Sequence, residues 1–156
     1  MNTAVVYDSQ FGNTERIAQA IANTLQAFGP VRIVRVDPEH PLDCRAVDLL
    51  VLGSPTQGFR ATPAMQSFLV KVPFALLHNL AVVSFDTRIH GLWGSAARYL
   101  ARRLRSLGVE PLVPPMSFFV KGTPGPLVEG EEERATHWAL GLRQHYASLQ
   151  HHLVAH

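Results

Sequence analysis

The chain reads as an α/β protein, a three-layer sandwich in which helices cover both faces of a five-stranded parallel sheet. Three observations lead there. Short apolar runs alternate with amphipathic stretches along the whole length, which is the pattern of repeated βα units. The first run, Ala4-Val5-Val6, is continuously apolar rather than alternating, as befits a strand covered on both faces. The 156 residues contain no internal repeat, low-complexity segment or linker, so one domain with one core is expected. Right-handed crossovers then restrict the topology to a doubly wound sheet.

Taken in order, Thr3 to Tyr7 reads as the first strand. Asn13 to Phe28 follows as a helix, with Ile17, Ile21, Leu25 and Phe28 along one side. Asn13 or Thr14 is positioned to cap it, and Gly29-Pro30 stops it. Strands are expected at Val31 to Val36 and Val47 to Gly53, joined by a Pro-containing link, Asp37 to Ala46, too short for an ordinary helix. Thr62-Pro63 opens the next helix, with proline at its first position. Leu80 to Phe85 reads as the fourth strand and Gly91 to Leu107 as a helix closed by Gly108. Ser117 to Val120 is the fifth strand, a Gly/Pro loop spans Gly122 to Pro126, and Glu129 to Leu149 is the last helix. Its glutamates sit where the helix dipole favours anions. The domain is expected over residues 1–150, with His151 to His156 as a flexible tail.

Composition narrows the function classes. A net charge of +2 and a pI near 9.0 fall short of the strong basic excess of a nucleic-acid binder. No apolar run reaches the ~20 residues that cross a bilayer, and the N-terminus lacks the pattern of a secretory signal. Cys44 is the single cysteine, which excludes an internal disulfide and makes a reducing, cytoplasmic setting the expectation.

The most informative segment is Ser9-Gln10-Phe11-Gly12-Asn13-Thr14, between the first strand and the first helix. Ligands of open parallel sheets bind beyond the carboxyl ends of the strands, at such a position. Ser9 and Thr14 offer hydroxyls, Gly12 lets the backbone approach, and the helix start behind them supplies free N–H groups. No lysine or arginine lies between Ser9 and Glu15, and neither the Gly-Lys-Ser/Thr triphosphate loop nor the three-glycine dinucleotide fingerprint is present. The loop therefore suits a single phosphate group.

The segment from Val5 to Glu15 resembles the strand and phosphate loop of the flavodoxin family, a hydroxyl residue followed by two variable residues and Gly-Asn-Thr. The resemblance extends over essentially the whole chain, in its short form without a long insertion at the fifth strand. It implies strand order 2-1-3-4-5 and non-covalently bound FMN. It also implies two loops that hold the flavin ring. The first is Ser54-Pro55-Thr56-Gln57-Gly58-Phe59, where Gly58 would let the peptide beside the flavin N5 flip. The second runs through Asp86, Thr87, Arg88 and His90. Phe59 is the one aromatic of the first loop, and the tyrosine that usually covers the ring is missing from the second. His90 or Trp93 stands in its place, Trp93 being equally suited to packing beneath the following helix. Arg60 and Arg88 flank both loops, and imply a second reduction step at less negative potential than in an acidic relative.

Other features carry less. Arg98, Arg102 and Arg105 share a helix face, which reads first as a solvated surface and second as a docking site for an acidic redox partner. The eight histidines show no ligand spacing, so no metal is expected. Neither an acid–base dyad nor a Gly-x-Ser-x-Gly elbow is present. The expected function is that of an FMN-binding electron-transfer protein serving reductase and acceptor proteins. An FMN-dependent quinone or protoporphyrinogen oxidoreductase and a non-redox module of the same fold are the two other readings.

Overall fold

The computed structural model describes residues 1–155. The strands are β1 (Thr3–Tyr7), β2 (Val31–Arg35), β3 (Leu49–Pro55), β4 (Ala81–Ile89) and β5 (Met116–Val120). They form one parallel sheet in the order β2-β1-β3-β4-β5. The helices are α1 (Asn13–Leu25), α2 (Pro63–Lys71), the short α3 (Phe74–Leu77), α4 (Ala96–Ser106) and α5 (Glu131–Val154). The order reverses at β1, whose neighbours are β2 on one side and β3 on the other. The switch point therefore lies at the carboxyl ends of β1 and β3.

Side chains alternate across a strand, and here both faces are filled. Ala4, Val6, Leu50, Leu52 and Val82 pack with Met65 and Leu69 of α2 and Leu100 and Leu104 of α4. Val5, Tyr7, Leu49, Val51, Val83 and Phe85 pack with Ile17, Ile21 and Leu25 of α1 and Ala135, Ala139 and Leu142 of α5. Burial on both sides is why these strands carry unbroken apolar runs. Phe85, Phe118 and Trp138 form an edge-to-face triad with centroids 6.0 to 6.2 Å apart. Space for the Phe85 ring comes from Gly53, its register partner on β3. A Cβ at position 53 would stand 2.1 Å from the Phe85 Cζ.

Several element limits differ from the expectation. β4 runs on to Ile89, because β5 pairs with Phe85 through Ile89. Asp86, Thr87 and Arg88 are thus strand residues rather than loop residues. Likewise β3 begins at Leu49 and includes Ser54 and Pro55, β2 ends at Arg35, and β5 takes in Met116. The helix expected from Gly91 begins only at Ala96, where the Ser95 hydroxyl caps it by accepting from the Arg98 N–H. Thr62 caps α2 as expected, accepting from the Met65 N–H at 3.3 Å. Helix α3 had no periodic signal, being a single turn. At the far end α5 continues through Val154, so residues 151–154 are helical where a flexible tail was expected. His156 of that tail lies outside the described residues.

Candidate functional site

The loops after β1, β3 and β4 converge on a cleft of about 340 Å³ at the switch point. Side-chain bonds hold them in mutual register. Gln57 Nε2 donates to Gln10 Oε1 at 2.9 Å, and the Thr14 and Thr87 hydroxyls share a buried hydrogen bond of 2.7 Å. The Ala96 N–H donates to Thr56 Oγ1 at 2.9 Å, which ties the β3 loop to the start of α4. A fourth segment, absent from the expected site, joins them: Asn13 Nδ2 donates to the Pro124 carbonyl at 2.8 Å, and Gly122, Thr123 and Pro124 close one wall. The Gly/Pro composition of Gly122 to Pro126 was the available signal for it.

One end of the cleft is built for an anion. Gly12 occupies the N-cap of α1 at φ +90°, and no side chain caps the helix. That φ suits glycine and costs any other residue about 1–2 kcal/mol. Neither Asn13 nor Thr14 serves as the cap, since their side chains are committed to Pro124 and Thr87. The N–H groups of the first turn are therefore left for a ligand, with the positive end of the helix dipole behind them. Ser9 Oγ accepts from the Gly12 N–H at 3.1 Å, and as a hydroxyl it keeps its own proton to donate. The adjacent cation, Arg35, is turned away to the Ser9 carbonyl and Asp8. These donors fit one phosphate group.

The other end is aromatic. Phe59 is 61% exposed and Trp93 89% exposed, and both line the cleft with Phe11. Trp93 is thus a wall of the cleft and does not pack beneath α4. Phe59 sits at φ +69° in a tight turn closed by the reciprocal bonds of Gln57 and Arg60, at 2.9 and 3.0 Å. Left-handed backbone is unfavourable for a bulky residue, and strain of this kind concentrates at ligand clamps. The turn presses against Gly94, whose Cβ would lie 2.5 Å from Phe59 Cδ1. Strain and exposed aromatic area coincide at one spot, as expected where a flat apolar group is held.

The remaining expected site residues divide by burial. Gln10, Phe11, Asn13, Pro55, Thr56, Gln57, Gly58, Phe59, Thr87 and Arg88 all line the cleft. Ser9, Thr14, Ser54 and Asp86 are buried behind it and shape it. Ser54 Oγ accepts from the Thr62 N–H and donates to the Pro55 carbonyl, which fixes the path of its own loop. His90 stays outside, packed edge-on against Phe119 with centroids 4.9 Å apart. Among the described residues no three His, Cys, Asp or Glu side chains are grouped to hold a metal, and no helix is long and apolar enough to cross a membrane.

Asp86 is fully buried; its Oδ2 accepts from the Ser95 hydroxyl and from the Ala97 N–H at 3.0 Å. Burial raises the carboxyl above its ordinary value, outweighing the lowering by Ser95, Ala97 and Arg88. The folded state then holds the proton more tightly than the unfolded one. Stability from this group is present at low pH and is lost as pH rises through the raised folded value. Thermal melts should therefore show Asp86→Asn gaining on the parent from pH ~4 upward, then levelling off. A difference independent of pH would contradict this.

The fold and the cleft define a class: a doubly wound α/β protein whose switch point carries a cleft with an uncapped helix start at one end and exposed aromatics at the other. Comparisons agree. The family model described as Flavodoxin matches residues 5–138, and the chain belongs to the flavodoxin family. No curated protein sequence matches it. A flavodoxin from the domain Archaea superposes with a TM-score of 0.73 at 18% identity, covering 94% of this chain and 99% of that one. Flavodoxin 2 of Bacillus cereus gives a TM-score of 0.70 at 23% identity, covering 92% and 99%. Rubredoxin oxygen:oxidoreductase of Desulfovibrio gigas gives a TM-score of 0.71 at 20% identity over 95% of this chain, which spans only 37% of that longer one. At these identities the likeness is one of fold.

Proposed function

We propose that the chain binds FMN in this cleft and serves as an electron carrier between proteins. The observation that supports this best is the pairing, at one switch point, of an uncapped helix start, whose loop from Ser9 to Glu15 carries no lysine or arginine, and an aromatic-walled slot. The first-turn N–H groups of α1 and the Ser9 hydroxyl would hold the phosphate, while Phe59 and Trp93 would flank the isoalloxazine ring. The bound flavin supplies the one- and two-electron chemistry. The chain supplies affinity and potential. Arg88 lines the cleft and Arg60 stands exposed on the turn that carries Phe59. Positive charge there favours an anionic reduced ring, so Arg88→Gln should shift the second reduction step to more negative potential in a spectroelectrochemical titration. An unchanged potential would remove Arg88 from this role.

A carrier and an oxidoreductase are separated by turnover. With NADH or NADPH and a quinone in excess, the purified protein is expected to show negligible steady-state activity. Rapid turnover would instead make it an FMN-dependent quinone-type oxidoreductase. The single buried Cys44 and the carrier role fit a reducing cytoplasm.

A further inference from the structure

Beside the aromatic end of the cleft lies a second, polar hollow of about 570 Å³, lined by Arg88, Arg98, Arg102, Leu92, Trp93 and Phe59 among others. It shares Phe59, Trp93 and Arg88 with the cleft, so whatever fills it sits next to the ring end. Among the described residues none of these three arginines has a carboxylate within ion-pair distance. The Arg88 guanidinium is held in place by Ser117 Oγ and the Leu92 carbonyl, both at 3.1 Å, and stacks 5.4 Å from the Phe119 ring. Arg98 and Arg102 project from successive turns of α4 and are exposed. Arg105, one turn further on, is paired to Glu110 at 3.1 Å and leaves the group. The stripe expected from the sequence is thus split, with Arg98 and Arg102 at the hollow and Arg105 apart.

No carboxylate lines the hollow, the buried Asp86 beneath it being taken up by Ser95 and Ala97. Glu132 and Glu133 face α1 from the start of α5, on the opposite face of the sheet from α4. Leu92 and Trp93, 58% and 89% exposed, stand within the basic group. Arginine, tryptophan and phenylalanine around a small exposed apolar centre are the composition of a protein-binding hot spot. A flat solvated face would have neither the hollow nor the exposed tryptophan.

We infer that this hollow docks an acidic protein surface, with Arg88, Arg98 and Arg102 receiving carboxylates and Leu92 and Trp93 forming the apolar contact. That the partner is a redox protein rests on the carrier reading above; the docking itself does not.

The test is equilibrium binding to two immobilised acidic electron-transfer proteins, a plant-type ferredoxin and a rubredoxin. Cytochrome c, which is basic, and heparin, a polyanion without apolar surface, are the comparisons. FMN-loaded and FMN-stripped protein are both used. Both forms are expected to bind the acidic proteins and not cytochrome c. Binding should weaken at least about tenfold as ionic strength rises from ~0.01 to ~0.15 M and the screening length falls from ~30 to ~8 Å. The double variant Arg98→Glu/Arg102→Glu should lose at least about tenfold with its FMN content unchanged. Arg105→Glu, the same kind of charge change one turn away, should lose less than about twofold. Failure to bind either acidic protein, equal loss in Arg105→Glu, or heparin binding as tight as protein binding would overturn the inference. If the protein takes up no FMN yet binds as described, the carrier reading fails and the docking surface stands.

Discussion

Replacing Gly12 with aspartate is expected to weaken FMN binding about 100-fold or more, which corresponds to ~2.7 kcal/mol, while the protein remains folded. Three effects act together. The φ of +90° at Gly12 would cost a side-chain-bearing residue about 1–2 kcal/mol. Aspartate is also among the best N-caps, so its carboxylate would take the first-turn N–H groups that α1 now leaves uncapped. It would further stand against the phosphate dianion in the same small space. The new cap offsets part of the backbone strain, so the flavin-free protein should melt close to the parent. Isothermal titration of the flavin-free protein with FMN, alongside thermal melts, separates the two effects. Equal affinity would mean that the phosphate does not sit at this helix start.

Phe85→Ala is the largest stability change expected, a loss of about 3–5 kcal/mol. Phe85 is fully buried, its ring lies over Gly53, and it touches both Phe118 and Trp138. Gly53, which lies against the ring, offers no side chain to fill the void. At ~2–4 °C per kcal/mol for a chain of this size, the melting temperature should fall by about 6–20 °C. The effect would extend to the site, since Asp86 and Thr87 follow Phe85 directly and anchor α4 and α1 through Ser95 and Thr14. A fall of only a few degrees would show that the aromatic triad repacks.

The parts of this protein that were legible in the sequence are those written in local chemistry. Ala4-Val5-Val6 declared a doubly covered strand, Thr62-Pro63 a capped helix start, and Ser9 to Thr14 a strand-to-helix loop turning on Gly12; each is complete within a few residues. What stayed hidden depends on distant partners. The polar run Asp86-Thr87-Arg88 looks like loop, yet it is strand because β5 pairs with it and because Ser95, Thr14 and Ser117 each bond one of its side chains. The start of α4 was misplaced because Gly91 to Trp93 continues its apolar spacing, whereas the structure spends Leu92 and Trp93 on the cleft. Trp93 itself was ambiguous for the same reason, as only tertiary geometry decides between packing under a helix and walling a ligand. The split of the arginine stripe likewise needed Glu110 to be placed against Arg105.

In the proposed function the phosphate loop and the aromatic slot hold FMN together. The measurement that addresses it most directly is a parallel titration of flavin-free protein with FMN and with riboflavin, which has the same ring and no phosphate. A yellow complex with one FMN per chain is expected, with riboflavin bound at least about 100-fold more weakly. A protein that stays colourless with FMN, or that binds riboflavin equally well, would contradict it.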